Sequence, residues 1–365
     1  MTQPLIQRLL ALACQIQQIP APTFDEGRRA EFVAEQFRAE GLCDVEVDDL
    51  GNVYGRRPGR ASSARPVLVT AHTDTVFPLS QPLTLQRSAD RIAGPGIGDN
   101  SLGVAGLLGV QWRLGETQLP GDVLLAANVG EEGLGDLRGM RRVVDRLGER
   151  ARAILVLEGM ALGHIYHAAI GVRRYRITTR TEGGHSWLHY GRPSAIHTLV
   201  RLAAQITELS LPASPKTTFN IGNISGGTTV NTIAREATLD LDLRSEAPAV
   251  LATLAARVEA LAAAHSSADM QVEVRVIGDR PSGSLPREHA LVQLAAHTLD
   301  ELDVAFSFES GSTDANVPLS RGLPCVCLGL TRGGNSHRPD EYIETRDVDK
   351  GLESIVRVVR GAFEL

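Results

Sequence analysis

Leu and Ile recur through the opening stretch MTQPLIQRLLALACQIQQIP at the spacing of one helix face, which predicts an amphipathic helix ending near Pro20-Ala21-Pro22. Thr23-Phe24-Asp25-Glu26 then has the S/T-x-x-E form of a capping box, so a second helix is expected over about 25–40. A strand-like VEVDD, a Gly51-Asn52 turn with VYGR, and a loop rich in Arg, Ala, Ser and Pro lead to the apolar run 66–71, a buried strand. Short apolar runs of the same kind follow at 123–127, 153–157 and 324–328, with helical patterns at 102–114 and 136–147. Apolar strands alternating with helices predict an α/β layer with a mostly parallel central sheet flanked by helices.

From about Val172 the pattern changes. The order becomes strand (173–179), helix (194–209), strand (217–224), strand (236–244), helix (248–265) and strand (270–277). This βαββαβ series of roughly 110 residues is a ferredoxin-like α+β unit of domain size. Helix and strand in the earlier style resume after Pro286. The chain's 365 residues match one very large domain or two ordinary ones. The economical organisation is one α/β domain, residues 1–171 and 284–365, interrupted by an inserted domain at 172–283, with hinges near Gly171-Val172 and Ser282-Gly283.

Composition then removes whole classes. Hydrophobic residues at 43% and charged residues at 22% are those of a soluble globular protein, not of a disordered or fibrous one. A net charge of −6 and 4% aromatics offer no basic field to nucleic acid or an anionic membrane and few stacking platforms. Arg, Glu, Gln or His breaks every apolar run short of a membrane span, and the N-terminal stretch lacks the basic region and cleavage site of a secretory signal. Four cysteines, Cys14, Cys43, Cys325 and Cys327, are too few for a disulfide scaffold, so a cytoplasmic location is expected. Cys325 and Cys327 share one face of a strand and, with no second pair at zinc spacing, are read as core.

Candidate chemistry gathers where buried strands end. His72 follows one apolar run, Glu131-Glu132 and Glu158 follow two others, His337 lies in the loop after a fourth, and Asp99 sits on a Gly-rich turn just before a helix. Ligands of open α/β sheets bind outside the carboxyl ends of strands, so these side chains can converge. Taken singly, each has an ordinary reading. His72 is then a loop histidine bonded to Asp74, and Glu131-Glu132 are solvated acids ahead of a helix. Together they are two histidines and four carboxylates, and two histidines with three carboxylates are the donors that a pair of divalent ions about 3.5–4 Å apart requires, one His and one carboxylate each plus a shared carboxylate. Imidazole and oxygen without thiolate favour zinc, cobalt or manganese. In the Glu131-Glu132 pair one member can bind metal while the other stays free as a general base.

The segments AHTDTV (71–76), GPGIGDN (94–100), GEEG (130–133), LEG (157–159), GGHS (183–186), VNTIA (230–234), DLR (242–244) and NSHRPDE (335–341), in order along nearly the whole chain, resemble one family. It is the co-catalytic metallopeptidase family of peptidase T, bacterial glutamate carboxypeptidase, acetylornithine deacetylase, succinyl-diaminopimelate desuccinylase and aminoacylase. The resemblance implies that His72 and Glu158 hold one zinc ion, Glu132 and His337 the other, and Asp99 bridges them. It makes Asp74 the acid that orients the His72 ring, and Glu131 the general base toward a metal-bridged water acting as nucleophile. It also implies a cis peptide bond at Asp99-Asn100. The inserted domain resembles the family's lid and dimerisation domain, in which His185 stabilises the oxyanion, commonly from a partner subunit, and Asn231 and Arg244 engage the substrate. Trp187, His189 and Tyr190 are left as either cleft-lining or lid-packing residues. Many members of that family carry Lys or Arg within a residue or two after the bridging Asp, where this chain has Asn100-Ser101.

The expected protein is a cytoplasmic, homodimeric, dinuclear hydrolase, most simply an exopeptidase on small peptides with a free carboxylate. The residues 308–320 resemble the peptidase T and glutamate carboxypeptidase branches more than the deacetylases. An N-acyl-amino-acid deacylase with the same site stays open, as does a catalytically silent, metal-holding dimer that binds peptides.

Overall fold

The computed structural model describes residues 2–61 and 63–365. They divide into two compact units, Met1–Ala169 with Gly283–Leu365, and Ile170–Ser282. Helices α1 (Thr2–Gln17) and α2 (Gly27–Ala39) come first, then strands β1 (Cys43–Val47), β2 (Val53–Arg57) and β3 (Val67–His72). Short β4 (Gln86–Arg87) and β5 (Arg91–Ala93) precede α3 (Leu102–Leu114), β6 (Val123–Asn128), α4 (Arg138–Leu147), β7 (Ala153–Glu158) and β8 (His164–Ala169). The second unit holds β9 (Gly171–Arg180), β10 (Gly184–His185), α5 (Ala195–Thr207), β11 (Thr217–Gly226), β12 (Thr232–Ile233), β13 (Glu236–Ser245), α6 (Pro248–Ala264) and β14 (Gln271–Arg280). The first unit resumes with β15 (Gly283–Ser284), α7 (Ala290–Glu301), β16 (Ser307–Gly311), α8 (Asn316–Ser320) and β17 (Cys325–Gly329). It ends with β18 (Gly333–Gly334), β19 (Tyr342–Glu344) and α9 (Val348–Gly361).

The first unit's main sheet runs β1-β2-β6-β3-β7-β17-β8-β15, with β16 also paired to β8. Its centre, β6-β3-β7-β17, is parallel, and β1, β2, β8 and β15 join antiparallel. The reason lies in the side chains. Every residue of β3 and β17 is buried, as a strand covered on both faces demands, whereas β1 is half exposed. Helix α3 is apolar nearly all round and packs against α1, α9 and the sheet, completing one continuous core. Cys325 and Cys327 lie wholly inside that core as free thiols, which burial pushes up in pKa. A second, smaller sheet, β18-β19-β5-β4, ties the loop after β18 to the segment that leads from β5 into α3.

The capping box does not form. Helix α2 begins at Gly27, Glu26 caps nothing with its side chain, and its carboxylate pairs with Arg138 at 2.8 Å. The Thr23 hydroxyl is taken instead by Asp74, at 2.8 Å.

In the second unit the sheet order is β11-β13-β9-β14, every neighbour antiparallel, with α5 and α6 against one face. The βαββαβ succession is that of the ferredoxin-like motif. Strict alternation builds it. Ala237, Leu239, Leu241 and Leu243 of β13 face the helices, while Asp240 and Asp242 face away and meet Arg176 and Arg174 directly across β9. Among the described residues no helix is long and apolar enough to cross a membrane.

Candidate metal centre

Three neighbouring parallel strands deliver the first donors. β3 ends at His72, β7 ends at Glu158, and β6, lying beside β3, ends three residues before Glu131 and Glu132. Asp99 sits in the wide turn Ile97–Ser101 that enters α3, and the Asp99-Asn100 peptide is cis. His337 lies in the hairpin loop between β18 and β19, with a left-handed backbone at φ 65°.

These side chains form two trios that share one residue. His72, Asp99 and Glu158 place donor atoms within 4.8 Å of one another, and so do Asp99, Glu132 and His337. His72 Nε2 lies 3.1 Å from Asp99 Oδ1 and 3.8 Å from Glu158 Oε2. His337 Nε2 lies 3.2 Å from both Asp99 Oδ2 and Glu132 Oε1. Glu131 joins a third grouping with His72 and Glu132.

Side chains carried on these segments hold one another's backbones. The Asp74 carboxylate accepts from the Glu131 and Glu132 amides, both at 2.9 Å, so the turn after β6 is fixed by the residue two beyond His72. The His72 Nδ1 faces Asp74, 3.1 Å from its carbonyl oxygen and 3.5 Å from its carboxylate. Asn100 donates to the Leu157 carbonyl at 2.8 Å and accepts from the Gly159 amide at 2.9 Å, spanning Glu158. A Cβ at Gly103 would stand 2.0 Å from Asn100 Oδ1, so glycine there makes the span possible. The Asn100 side chain is thus buried in the frame of the site. Glu341 accepts from the Gly98 and Asp99 amides at 2.8 and 2.9 Å. Beneath the cluster, wholly buried Arg29 donates to the Thr73 carbonyl at 2.7 Å, and Asp314 accepts from Asn128 at 2.7 Å.

Burial and crowded charge set the protonation. Burial, opposed by His337 and reinforced by the Asp99 charge, pushes Glu132 up to about 7, and burial against the pull of His72 does the same to Glu158. Burial would lower His72, but hydrogen bonds to Asp74, Asp99 and Glu158 hold it well above the usual imidazole range. Bonds to Asp99 and Glu132 push His337 up to about 10. Burial would raise Asp99, yet the two imidazoles keep it well below ordinary carboxylates. Burial and the Glu131 charge push Asp314 up to about 8.

The donor set fits a pair of divalent cations. Each imidazole presents Nε2 to Asp99, with His72 Nδ1 turned back onto its own segment, and the ion-pair partners of Asp99, Glu132 and Glu158 are these imidazoles alone among the described residues. With the imidazoles neutral, as ligation requires, the three carboxylates would present negative charge for cations to neutralise, at the cost of the protons the cluster holds without them.

The other expected site residues belong to the second unit. His185 pairs with Thr232 across β10 and β12, and its Nδ1 accepts from the Trp187 amide at 3.2 Å. The Asn231 carbonyl accepts from the Ser186 amide at 3.0 Å, and Arg244 Nε donates to Asp242 at 2.7 Å. Trp187 and Tyr190 are 84% and 92% exposed, so they do not pack the second unit's core, and His189 accepts from the His185 amide. Reasoning from sequence gave no site role to Thr23, Arg29, Asn128, Asp314 or Glu341. Of these, Glu341 and Asp314 stood inside recognised segments, NSHRPDE and 308–320, and Thr23 was read as part of a helix cap.

The profile of Peptidase family M20/M25/M40 matches residues 68–361. Succinyl-diaminopimelate desuccinylase from Acidovorax ebreus is 25% identical, covering 95% of this chain and 96% of its own length. A tripeptidase from Staphylococcus aureus has the same fold, with a TM-score of 0.82, 22% identity and 99% of both chains covered. So does a Bacillus subtilis protein described as a dinuclear metal binding peptidase, at TM-score 0.73, 14% identity and 99% coverage of both. With its family profile matched over 68–361 and this fold, the chain is a hydrolase belonging to peptidase family M20/M25/M40.

Proposed function

We propose that the protein is a dinuclear metal-dependent amide hydrolase, an exopeptidase acting on small peptides that bear a free carboxylate. The observation that carries this reading is the pair of trios sharing Asp99, with Glu131 beside them. His72 and Glu158 would hold one ion, Glu132 and His337 the other, and Asp99 both; zinc suits the donors best, with cobalt or manganese as substitutes. Such ions, when bound, supply Lewis acidity toward a carbonyl and toward water. Glu131 takes the proton from the water that adds to the scissile carbonyl carbon and returns it to the amine nitrogen as the C–N bond breaks. Asp74 keeps Glu131 aimed through its hold on the Glu131 amide. Among second-unit residues, His185 is assigned to the developing oxyanion, and Asn231 and Arg244 to the substrate carbonyl and carboxylate. The second unit, 172–283 by the sequence boundaries, is proposed as lid and dimerisation domain of a cytoplasmic homodimer.

The similarity to a desuccinylase favours a second reading, hydrolysis of an N-acyl amino acid at the same centre. One experiment tests both. Protein loaded with zinc, cobalt or manganese, and a chelated control, is mixed with dipeptides, tripeptides and N-acyl amino acids, and products are followed by mass spectrometry. Metal-dependent loss of peptides is expected; loss of N-acyl amino acids alone would select the second reading, and no metal-dependent loss of any substrate would refute both.

A further inference from the structure

We infer that Glu341 is a positioning residue that ties Asp99 to His337, so that the shared carboxylate and the second trio are set as one piece. The inference rests on the reading of these residues as metal ligands. Glu341 is wholly buried, yet among the described residues it has no Lys or Arg ion-pair partner. A buried carboxylate without a cation is costly, and a hydrophobic residue would fill the same space more cheaply. Its oxygens explain its presence. Oε1 receives two consecutive amides, Gly98 at 2.8 Å and Asp99 at 2.9 Å, which fixes the peptide planes on the N-terminal side of the Asp99 side chain. Oε2 receives the His337 amide at 3.4 Å, the residue whose left-handed backbone needs support. The segment itself is anchored at both ends: the Glu341 amide donates to the Arg338 carbonyl at 3.0 Å, and the Gly94 amide donates to the Glu341 carbonyl at 2.7 Å. Glu341 belongs to neither trio, and its oxygens are occupied by amides, so it acts through Asp99 and His337 and not as a ligand.

The chemistry of the side chain supplies a selective test. In Glu341→Gln one carbonyl oxygen remains for Gly98 and Asp99, while the amide NH2 now meets the His337 N–H, donor against donor. Metal-free protein is titrated with zinc ions in a calorimeter. The parent should bind two ions per chain; if it does not, the dinuclear reading fails before Glu341 is tested. In Glu341→Gln one binding event should weaken about 10- to 100-fold while the other stays within about threefold, and the circular dichroism spectrum of the metal-free form should match the parent's. In a His337→Ala background the same change should add less than about a twofold further loss, because the residue through which it acts is gone. Should Glu341→Gln fail to fold, Glu341→Asp carries the same expectation, since it keeps the charge but is one methylene too short to reach both loops. Parent-like affinity at both sites, equal weakening of both, or a full additional loss in the His337→Ala background would each overturn the inference.

Discussion

On the open face of the second unit's sheet, Asp240 and Asp242 are each answered by an arginine directly across the strand pair, at 2.8 and 2.9 Å and partly in solvent. In the first unit Asp74, Glu132, Glu158, Asp314 and Glu341 are buried or nearly so, and backbone amides, one asparagine and two imidazoles answer them instead. Exposed pairs gain little, because water already solvates both charges and salt screens them. Buried acids cannot call on water, so their oxygens depend on donors that the fold positions. The same residue types are thus replaceable decoration in one region and geometry-setting parts in the other.

Four substitutions or conditions would break or sharpen that contrast. The largest effect is expected from Glu131→Gln, which should lower kcat about 10²- to 10⁴-fold while metal content by plasma mass spectrometry stays at the parent level; near-normal turnover would remove Glu131 from the mechanism. Asp74→Ala leaves two buried amides and the Thr23 hydroxyl without their acceptor, and should destabilise the protein by about 2 kcal/mol or more, read from urea unfolding of the metal-free form. Next comes pH. Burial, with the Glu131 charge, pushes Asp314 up to about 8, so it holds a proton in the folded chain that the unfolded chain releases above about pH 4, and metal-free stability should fall as pH rises from about 4 to 8. Asp314→Asn should flatten that slope in urea midpoints measured across the range; an unchanged slope would mean that Asp314 is ionised. The smallest effect should come from Arg176→Ala on the open face, which should leave the melting temperature within about 1 °C of the parent; a drop of several degrees would show that the exposed ladder matters as the buried acids do.

The ease of reading differed between the regions for the same physical reason. Alternation in β13 and the helical spacing of α5 and α6 are local signals, and the succession from β9 to β14 follows from them. The all-apolar runs of β3, β7 and β17 were equally plain, and they carry His72 and Glu158 at their ends. The antiparallel strands β8 and β15 and the small sheet around β19 were not legible. They are short or half polar, and they exist because tertiary partners complete them. Thr23 shows the limit of a local motif: its hydroxyl had a capping role available nearby, but Asp74, 51 residues on, holds it. The role of Asn100 was not legible, since its contacts with Leu157 and Gly159 lie 57 and 59 residues away.

The bond between Glu341 and the Gly98 amide joins positions 243 apart, across the whole of the second unit. On a ribosome, the second unit has all of its own core residues in hand before Glu341 is made, and it can reach its fold while the first unit still lacks α7, α9 and β17. The first unit must wait with an unfinished sheet whose β7 edge is apolar and unpaired. In synthesis from the N-terminus the second unit's core residues are thus complete before the residue that ties Asp99 to the loop of His337 is added.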